Sequence, residues 1–292
     1  MAGGSCASIS SGICHGTLGE LIQGPYVQDG VLQISLISLP VKKYSCMHFT
    51  HGAAAHGDNA LATKLKCQQA IHLYLARYGK RLPQGSWSHD SELLEGKGMA
   101  SSTADIVATI RCLDAIFGLE SSAETMSAIL LSIERSDSVF LDTYALYLSG
   151  RQQVIRRFDN RASFHACYID EGERVDTEQL GPHLLMRYQE QLTPYIDNLQ
   201  QAIAAFERHD LSAIAACATA SAVLGQSAVP KQNLGVLLKN QARYRADGIF
   251  VAHTGSLAGY LFIDKPGPLQ MGALSSFFRG LGYQCRFVQT GF

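Results

Sequence analysis

The chain has 292 residues, of which 47% are hydrophobic and 17% charged, and its formal net charge is −1. This composition is typical of a globular protein with one large or two modest domains, and it excludes a disordered chain. A net charge near zero provides no global field that would attract nucleic acid or anionic lipid. We therefore expect no nucleic-acid partner, and because no apolar run approaches the roughly 20 residues of a membrane span, no membrane association.

The N-terminal stretch MAGGSCASIS lacks the basic flank and apolar core of a signal peptide. The eight cysteines include no Cys-x-x-Cys pair, and several, such as Cys112 and Cys217, lie inside apolar periodic segments. This usage is typical of reduced, buried cysteines. The expected localisation is cytoplasmic, and the sequence is compatible with a homodimer.

The first fifty residues predict β-structure, with a hairpin turn at Gln28-Asp29-Gly30. A helix is expected over about 60–78, ended by Gly79, and a strand over about 86–94.

A second helix follows, with Ile106, Ile110, Leu113 and Phe117 on one face and Gly118 as its stop. Ser121-Ser122-x-Glu124 is a capping signature for a third helix that runs to about Arg135. Short strands are expected from there to about residue 158.

After the polar stretch 159–163 the order of elements changes. A strand (164–169) precedes a helix-rich block (178–245), and 211–224 reads as a buried helix. Strands near 249–252 and 260–263, a helix and a strand near 283–288 complete the chain. The prediction is an α+β fold with two domains, 1–158 and 159–292.

The stretch EGKGMASSTADIVATI, residues 95–110, places glycines and hydroxyl residues directly before an apolar helical run. Unpaired N–H groups at a helix start bind anions, and glycines allow close approach of the backbone. The pattern suits a triphosphate with Mg²⁺, and one serine would also cap the helix. An ordinary glycine turn with a serine cap is the alternative. Walker A, Rossmann and protein-kinase signatures are absent.

The segment from Gly96 to Ala104 resembles the Gly-x-Gly-x-x-Ser-Ser-x-Ala motif of the GHMP kinases, which include galactokinase, homoserine, mevalonate and phosphomevalonate kinases. HGTLGELIQG (15–24) looks like the substrate motif of that family, and HTGSLAG (253–259) is similar to its third motif. The three motifs occur in the family's order and span most of the chain.

The resemblance implies a ribosomal-S5-like N-terminal lobe, with a left-handed βαβ crossover, and a ferredoxin-like C-terminal lobe. It implies ATP as phosphate donor and Mg²⁺, with one loop serine, here Ser102, helping to hold the metal. The implied nucleotide-binding residues are Gly96, Lys97, Gly98, Met99, Ala100, Ser101, Ser102 and Thr103.

The compact Gly-Thr-x-Gly-Glu-Leu-x-Gln-Gly form of the first motif is similar to the branch that contains the L-threonine kinases of cobalamin synthesis. That likeness implies O-phospho-L-threonine as product. In departure from the family pattern, His15 replaces a proline. The position of a catalytic Lys or Arg in mevalonate kinases and galactokinases is either occupied by Thr17 or deleted, so this motif is not expected to supply an active-site cation. Alternatives are a homoserine or other small-alcohol kinase and a catalytically silent nucleotide or metabolite sensor.

The segment LSIERSDSVFLD (131–142) contains two acids where the family has a Mg²⁺ ligand and, in many branches, a proton acceptor. Glu134 is thus the expected metal ligand and Asp137 the expected base or hydroxyl orienter; without the resemblance, a solvated helix end is the simpler interpretation. Glu20 would bind the substrate's ammonium or hydroxyl group, unless it is a surface acid in a turn. The other expected substrate-binding residues are Gln23, Thr254 and Gly255.

His48, His51 and His56 lie close together in sequence. A zinc site needs three or four convergent ligands, and His-x2-His without nearby acids or thiols favours ordinary loop histidines. His253 adjoins the third motif and either lines the phosphate site or supports a turn.

Overall fold

The computed structural model describes residues 8–52, 60–159, 161–172 and 177–292. Its first feature is a long antiparallel hairpin of β1 (Ile9–Gln28) and β2 (Val31–His51). The turn residues Asp29 and Gly30 have φ of 52° and 74°, as a type I′ turn requires. The predicted hairpin turn is confirmed.

Within the described ranges the strands form one nine-stranded sheet, and every pair in it is antiparallel. The later strands are β3 (Gly85–Ser91), β4 (Ala145–Leu148), β5 (Gln153–Arg157), β6 (His165–Asp170), β7 (Gly248–Val251), β8 (Leu257–Phe262) and β9 (Arg286–Gln289). The order is β5-β4-β2-β1-β7-β8-β6-β9, with β3 also paired to β2. The sheet is thus continuous across residue 158, and the division into two domains stays a prediction.

The helices of the described residues are α1 (Leu65–Tyr78), α2 (Ser101–Phe117), α3 (Ala123–Leu131), α4 (Thr177–Glu190), α5 (Leu192–Glu207), α6 (Leu211–Gly225), α7 (Leu234–Asn240) and α8 (Pro268–Gly280). None of them has the length and apolarity that crossing a bilayer requires. The predicted stops at Gly79 and Gly118 are confirmed, since both glycines adopt the left-handed conformation after the last helical residue.

Two predicted helix limits are wrong. The first helix begins at Leu65 rather than near residue 60. The third begins as predicted, with the Ser122 hydroxyl accepting the Thr125 amide, but it ends at Leu131, short of Arg135. Glu134 and Asp137 therefore lie on the irregular connection between α3 and β4, where side chains can turn toward a cleft.

Helix α2 lies directly on β1, and this contact aims its N-terminus. A Cβ added to Gly12 would stand 2.1 Å from the Ala108 carbonyl oxygen. The helix backbone can lie this close to the strand only because residue 12 is a glycine.

The buried face of α2 also holds two acids. One of them, Asp114, accepts hydrogen bonds from the Tyr74 and Ser121 hydroxyls and the Ser121 amide.

The three glycine-containing motifs meet through their backbones. The Gly19 amide donates to the Gly98 carbonyl (2.8 Å), and the Ser256 amide donates to the Lys97 carbonyl (3.1 Å). A Cβ at Gly255 would lie 2.3 Å from the Lys97 oxygen and 2.5 Å from the Gly98 Cα. The loop before α2 is therefore clamped between the other two motifs by contacts that tolerate no side chain.

We expect Gly255→Ala to lower the free energy of unfolding by about 1–3 kcal/mol, because its methyl group would overlap backbone that cannot move aside cheaply. Gly150→Ala is the matched control, since Gly150 has no atom within 4 Å of an added Cβ. Urea denaturation of both variants measures the difference. Equal stabilities would show that the loops are not tightly clamped.

Candidate active site

A cavity of about 150 Å³ opens where the three motifs meet. Its walls come from β1, the loop before α2, the start of α2 and the connection after α3. The lining residues are Glu20, Gln23, Leu36, Lys66, Gly96, Gly98, Met99, Ala100, Ser101, Ser102, Thr103, Glu134, Arg135, Ser136, Asp137, Ser149 and Thr254. Most of the residues predicted for nucleotide, metal and substrate are thus brought together, and we call this cavity the cleft.

The N-terminus of α2 faces the cleft with unpaired donors. Within the described ranges, no backbone carbonyl accepts from the amides of Ser101, Ser102 and Thr103. The residue before the helix, Ala100, has φ of 53°, a left-handed conformation that costs a non-glycine residue about 1 kcal/mol or more. The expected serine cap is wrong: Ala100 holds the cap position, and no side-chain hydrogen bond caps the helix.

The hydroxyl groups near the helix start bind a carboxylate instead of the helix end. Ser102 Oγ donates to one oxygen of Glu134 (2.9 Å), and Thr103 Oγ1 donates to the other (2.8 Å). Lys66 Nζ, from the first turn of α1, lies 2.6 Å from Glu134 Oε2. The Glu134 side chain is 6% exposed, so its charge is held almost entirely by these three partners.

Asp137 lies on the same connection and has a different environment. Its Oδ1 accepts a hydrogen bond from Ser38 (3.3 Å). Desolvation, followed by the negative charge of Glu20, raises the pKa of Asp137 to about 7, although Ser38 and the charge of Arg135 act in the opposite direction. A carboxyl group with this pKa can exchange a proton near neutral pH.

Glu20 is buried beside the cleft at a place where β1 is irregular and pairs with β7 as well as with β2. One carboxylate oxygen, Oε2, accepts the backbone amide of His253 (2.9 Å) and lies 3.3 Å from His253 Nδ1. Nε2 of the same ring lies 3.0 Å from Ser221 Oγ on α6. His253 therefore supports the orientation of Glu20 and is not among the residues that line the cleft.

Of the other predicted substrate residues, Gln23 and Thr254 line the cleft and Gly255 does not. The Gln23 amide group donates to the Tyr188 hydroxyl from α4 (3.1 Å). Gly255 packs on Gly98, so its contribution lies in bringing the loops together.

Lys97 is directed away from the cleft. Its Nζ lies 3.2 Å from Asp170 Oδ2 and donates to the Gly172 carbonyl (3.0 Å). In this structure the positive charges of the cleft wall come from Lys66 and Arg135, which the sequence analysis missed. The signal for Arg135 was its place in the sequence between the two predicted acids, Glu134 and Asp137. Lys66 lies on α1, and no motif in that helix points to a role in the cleft.

A second cavity of about 370 Å³ adjoins the cleft and shares Lys66, Gly96, Ser101 and Ser102 with it. Its remaining lining residues are Thr63, Lys64, Leu65, Cys67, Glu95 and Asp105. Burial would raise the pKa of Asp105, but hydrogen bonds from His89, Lys64 and Ser45 outweigh burial and hold that pKa below its usual value. This wall is therefore a fixed ion-paired surface.

The histidine run does not converge on a metal site in the described part of the chain. His48 bonds to Ser11 and His51 bonds to Ser10, whereas His56 lies outside the described residues. No group of three metal-ligating side chains is present among the described residues. His15, the departure in the first motif, packs against Phe292.

Part of the chain is similar to a known protein family. Residues 51–150 match the model of the GHMP kinases N terminal domain. The structure of Cytophaga hutchinsonii homoserine kinase superposes with a TM-score of 0.70 at 12% identity, covering 99% of this chain and 96% of the other. Methanococcus jannaschii mevalonate kinase also gives 0.70, at 11% identity with 99% of both chains covered. The predicted α+β GHMP kinase fold is confirmed.

A protein from Citrobacter freundii named L-threonine kinase is 27% identical to this chain over 264 residues, covering 86% of this chain and 85% of the relative. The predicted resemblance to this branch of the GHMP kinases is confirmed. The similarities are therefore to kinases: a GHMP kinase domain model over residues 51–150 and, at low identity, the fold of homoserine and mevalonate kinases.

The raised pKa of Asp137 predicts a pH-dependent cost to stability. Between pH 4 and 7 the unfolded carboxyl group is ionised while the folded one keeps its proton, so the folded state loses stability as pH rises. Relative to wild type, Asp137→Asn should gain on the order of 1–2 kcal/mol at pH 8 after allowance for solvent screening, and less at pH 5. Chemical denaturation across this range, with the exposed Asp264→Asn as control, measures it. A pH-independent difference would contradict this assignment.

Proposed function

We propose that the protein is an ATP:L-threonine O-phosphotransferase. The observation that carries the proposal is the convergence of α2 amide donors, a buried carboxylate bound by loop hydroxyls and a second carboxyl group of raised pKa on one cleft. The choice of L-threonine is supported by the form of the first motif and by the named relative. A place in the cobalamin aminopropanol linker is part of the same proposal.

The unpaired amides of Ser101, Ser102 and Thr103 would bind the triphosphate, since a helix start presents both donors and partial positive charge. Residues 96–100 would lie along the triphosphate. The nucleoside would occupy the adjoining cavity of about 370 Å³, which is within the usual range for ligand pockets.

Ser102 and Glu134 form a donor set that fits Mg²⁺. A hydroxyl oxygen and a carboxylate oxygen already lie within 2.9 Å of each other beside the helix start, and Mg²⁺ prefers oxygen ligands. Bound there, Mg²⁺ would neutralise charge on the transferred phosphoryl group. Lys66, now paired with Glu134, is close enough to turn toward phosphate oxygens when that carboxylate is engaged.

Asp137 would orient the substrate hydroxyl and accept its proton. The hydroxyl oxygen attacks the γ-phosphorus, the bond from that phosphorus to the bridging β-oxygen breaks, and ADP leaves with the bridging oxygen. The proton of the hydroxyl passes to Asp137. Glu20 would bind the ammonium group, because its Oε1 has no partner among the described residues and its charge already acts on Asp137.

The direct test is ADP release from Mg·ATP with L-threonine, L-homoserine, L-serine, mevalonate and galactose. We expect L-threonine to give the highest kcat/KM. Preference for homoserine would keep the mechanism and overturn the substrate, since one methylene is worth about 1–3 kcal/mol in a pocket. ATP binding without turnover on any of them would favour a sensor.

Loss of the Asp137 carboxyl group should lower kcat by about 10²–10⁴-fold, the usual contribution of a general base. For the wild type, kcat/KM should fall as pH drops below about 7, because Asp137 then carries a proton in the free enzyme. Asp137→Asn should abolish that dependence, and Asp264→Asn should keep it. The same pH profile in Asp137→Asn would show that another group is responsible.

A further inference from the structure

Arg135 is a cation of the cleft wall that is paired with none of the described residues. It lies between Glu134 and Asp137, and its guanidinium makes no hydrogen bond or ion pair with any described residue. Lys66, the other cation of the wall, is bound to Glu134 at 2.6 Å. A guanidinium offers five donors, and one left unpaired in a concave site is available to an anion.

The position of Arg135 is at the substrate end of the cleft. Its positive charge opposes the burial that raises the pKa of both Asp137 and Tyr188. Tyr188 is the residue that bonds Gln23 from the first motif. Arg135 thus lies near the proton acceptor and the substrate motif.

The charges around this end form a pattern. Asp137 and Glu20 are two carboxyl groups close enough that the charge of one raises the pKa of the other. Such a pair favours a ligand that brings a positive group between them, while Arg135 favours a ligand with a negative group. A hydroxy amino acid carries both, bonded to the same α-carbon of one small molecule.

We propose, as an extension of the function proposed above, that Arg135 binds the carboxylate of the amino-acid substrate and so determines its specificity. Arginine pairs with carboxylates through two parallel N–H···O bonds, which fixes orientation as well as affinity. With the ammonium at Glu20 and the carboxylate at Arg135, the side-chain hydroxyl is turned toward Asp137. Amino alcohols and sugars would lack the group that Arg135 requires.

The test compares two substrates on four proteins. L-Threonine and 1-amino-2-propanol differ only in the carboxylate. The proteins are wild type, Arg135→Gln, Arg135→Lys and the control Arg81→Gln, whose arginine is exposed. We expect Arg135→Gln to lower kcat/KM for L-threonine about 100-fold, mainly through KM. Its kcat/KM for 1-amino-2-propanol and its KM for ATP should stay within threefold of wild type. Arg135→Lys should recover about tenfold for L-threonine.

Equal losses on both substrates, or a raised KM for ATP, would overturn the inference and assign Arg135 to the phosphates or to folding. Activity on 1-amino-2-propanol also reports that the variant is folded. If wild type phosphorylates L-threonine and Arg135→Gln does so equally well, the inference fails and the proposed function stands. If wild type phosphorylates no hydroxy amino acid, the proposed function itself fails.

Discussion

The site depends on backbone-to-backbone contact among three loops that are far apart in sequence. Gly98 and Gly255 face each other without side chains, and Gly19 donates its amide to Gly98. These contacts fix the loop before α2, while Gly12 lets the helix itself lie on β1. The unpaired amides at the helix start therefore have one direction, into the cleft. The glycines serve the assembly of the loops at least as directly as they serve a ligand.

The two ends of the cleft differ in how their carboxylate charges are compensated. Glu134 is paired with Lys66 and accepts from two hydroxyls, which fits the proposed role of this carboxylate beside a metal ion and phosphates. Neither Glu20 nor Asp137 has a lysine or arginine ion pair among the described residues, and burial together with the charge of Glu20 raises the pKa of Asp137. The proposed phosphoryl transfer would use the first end for phosphate and the second for the positively charged group of the substrate.

Local signals predicted the local features. Asp29-Gly30, Gly79 and Gly118 each adopt the backbone conformation that their residue type favours, so the turn and both helix stops could be predicted from the sequence. Ordered motifs also predicted the fold and most of the cleft wall, because glycine and hydroxyl spacing reflects the loop that they build.

Long-range contacts decided the rest. The hydroxyls of Ser102 and Thr103, in the first turn of α2, do not cap the helix and instead donate hydrogen bonds to Glu134, more than thirty residues away. Lys97 forms an ion pair with Asp170 on β6 and so is directed away from the cleft. Lys66 reaches Glu134 from α1, a helix that carries no recognisable motif. Such partners depend on the tertiary arrangement of the chain, which periodicity and spacing do not encode.

The most direct test of the central claim is the chemical identity of the product. ³¹P NMR of a reaction containing Mg·ATP and L-threonine should show ADP and, in equal amount, a phosphomonoester signal split by the single β-proton of threonine. ADP accompanied by inorganic phosphate alone would show that the cleft hydrolyses ATP without binding the amino acid productively. That result would contradict the assignment of Glu20, Asp137 and Arg135 to an amino-acid substrate.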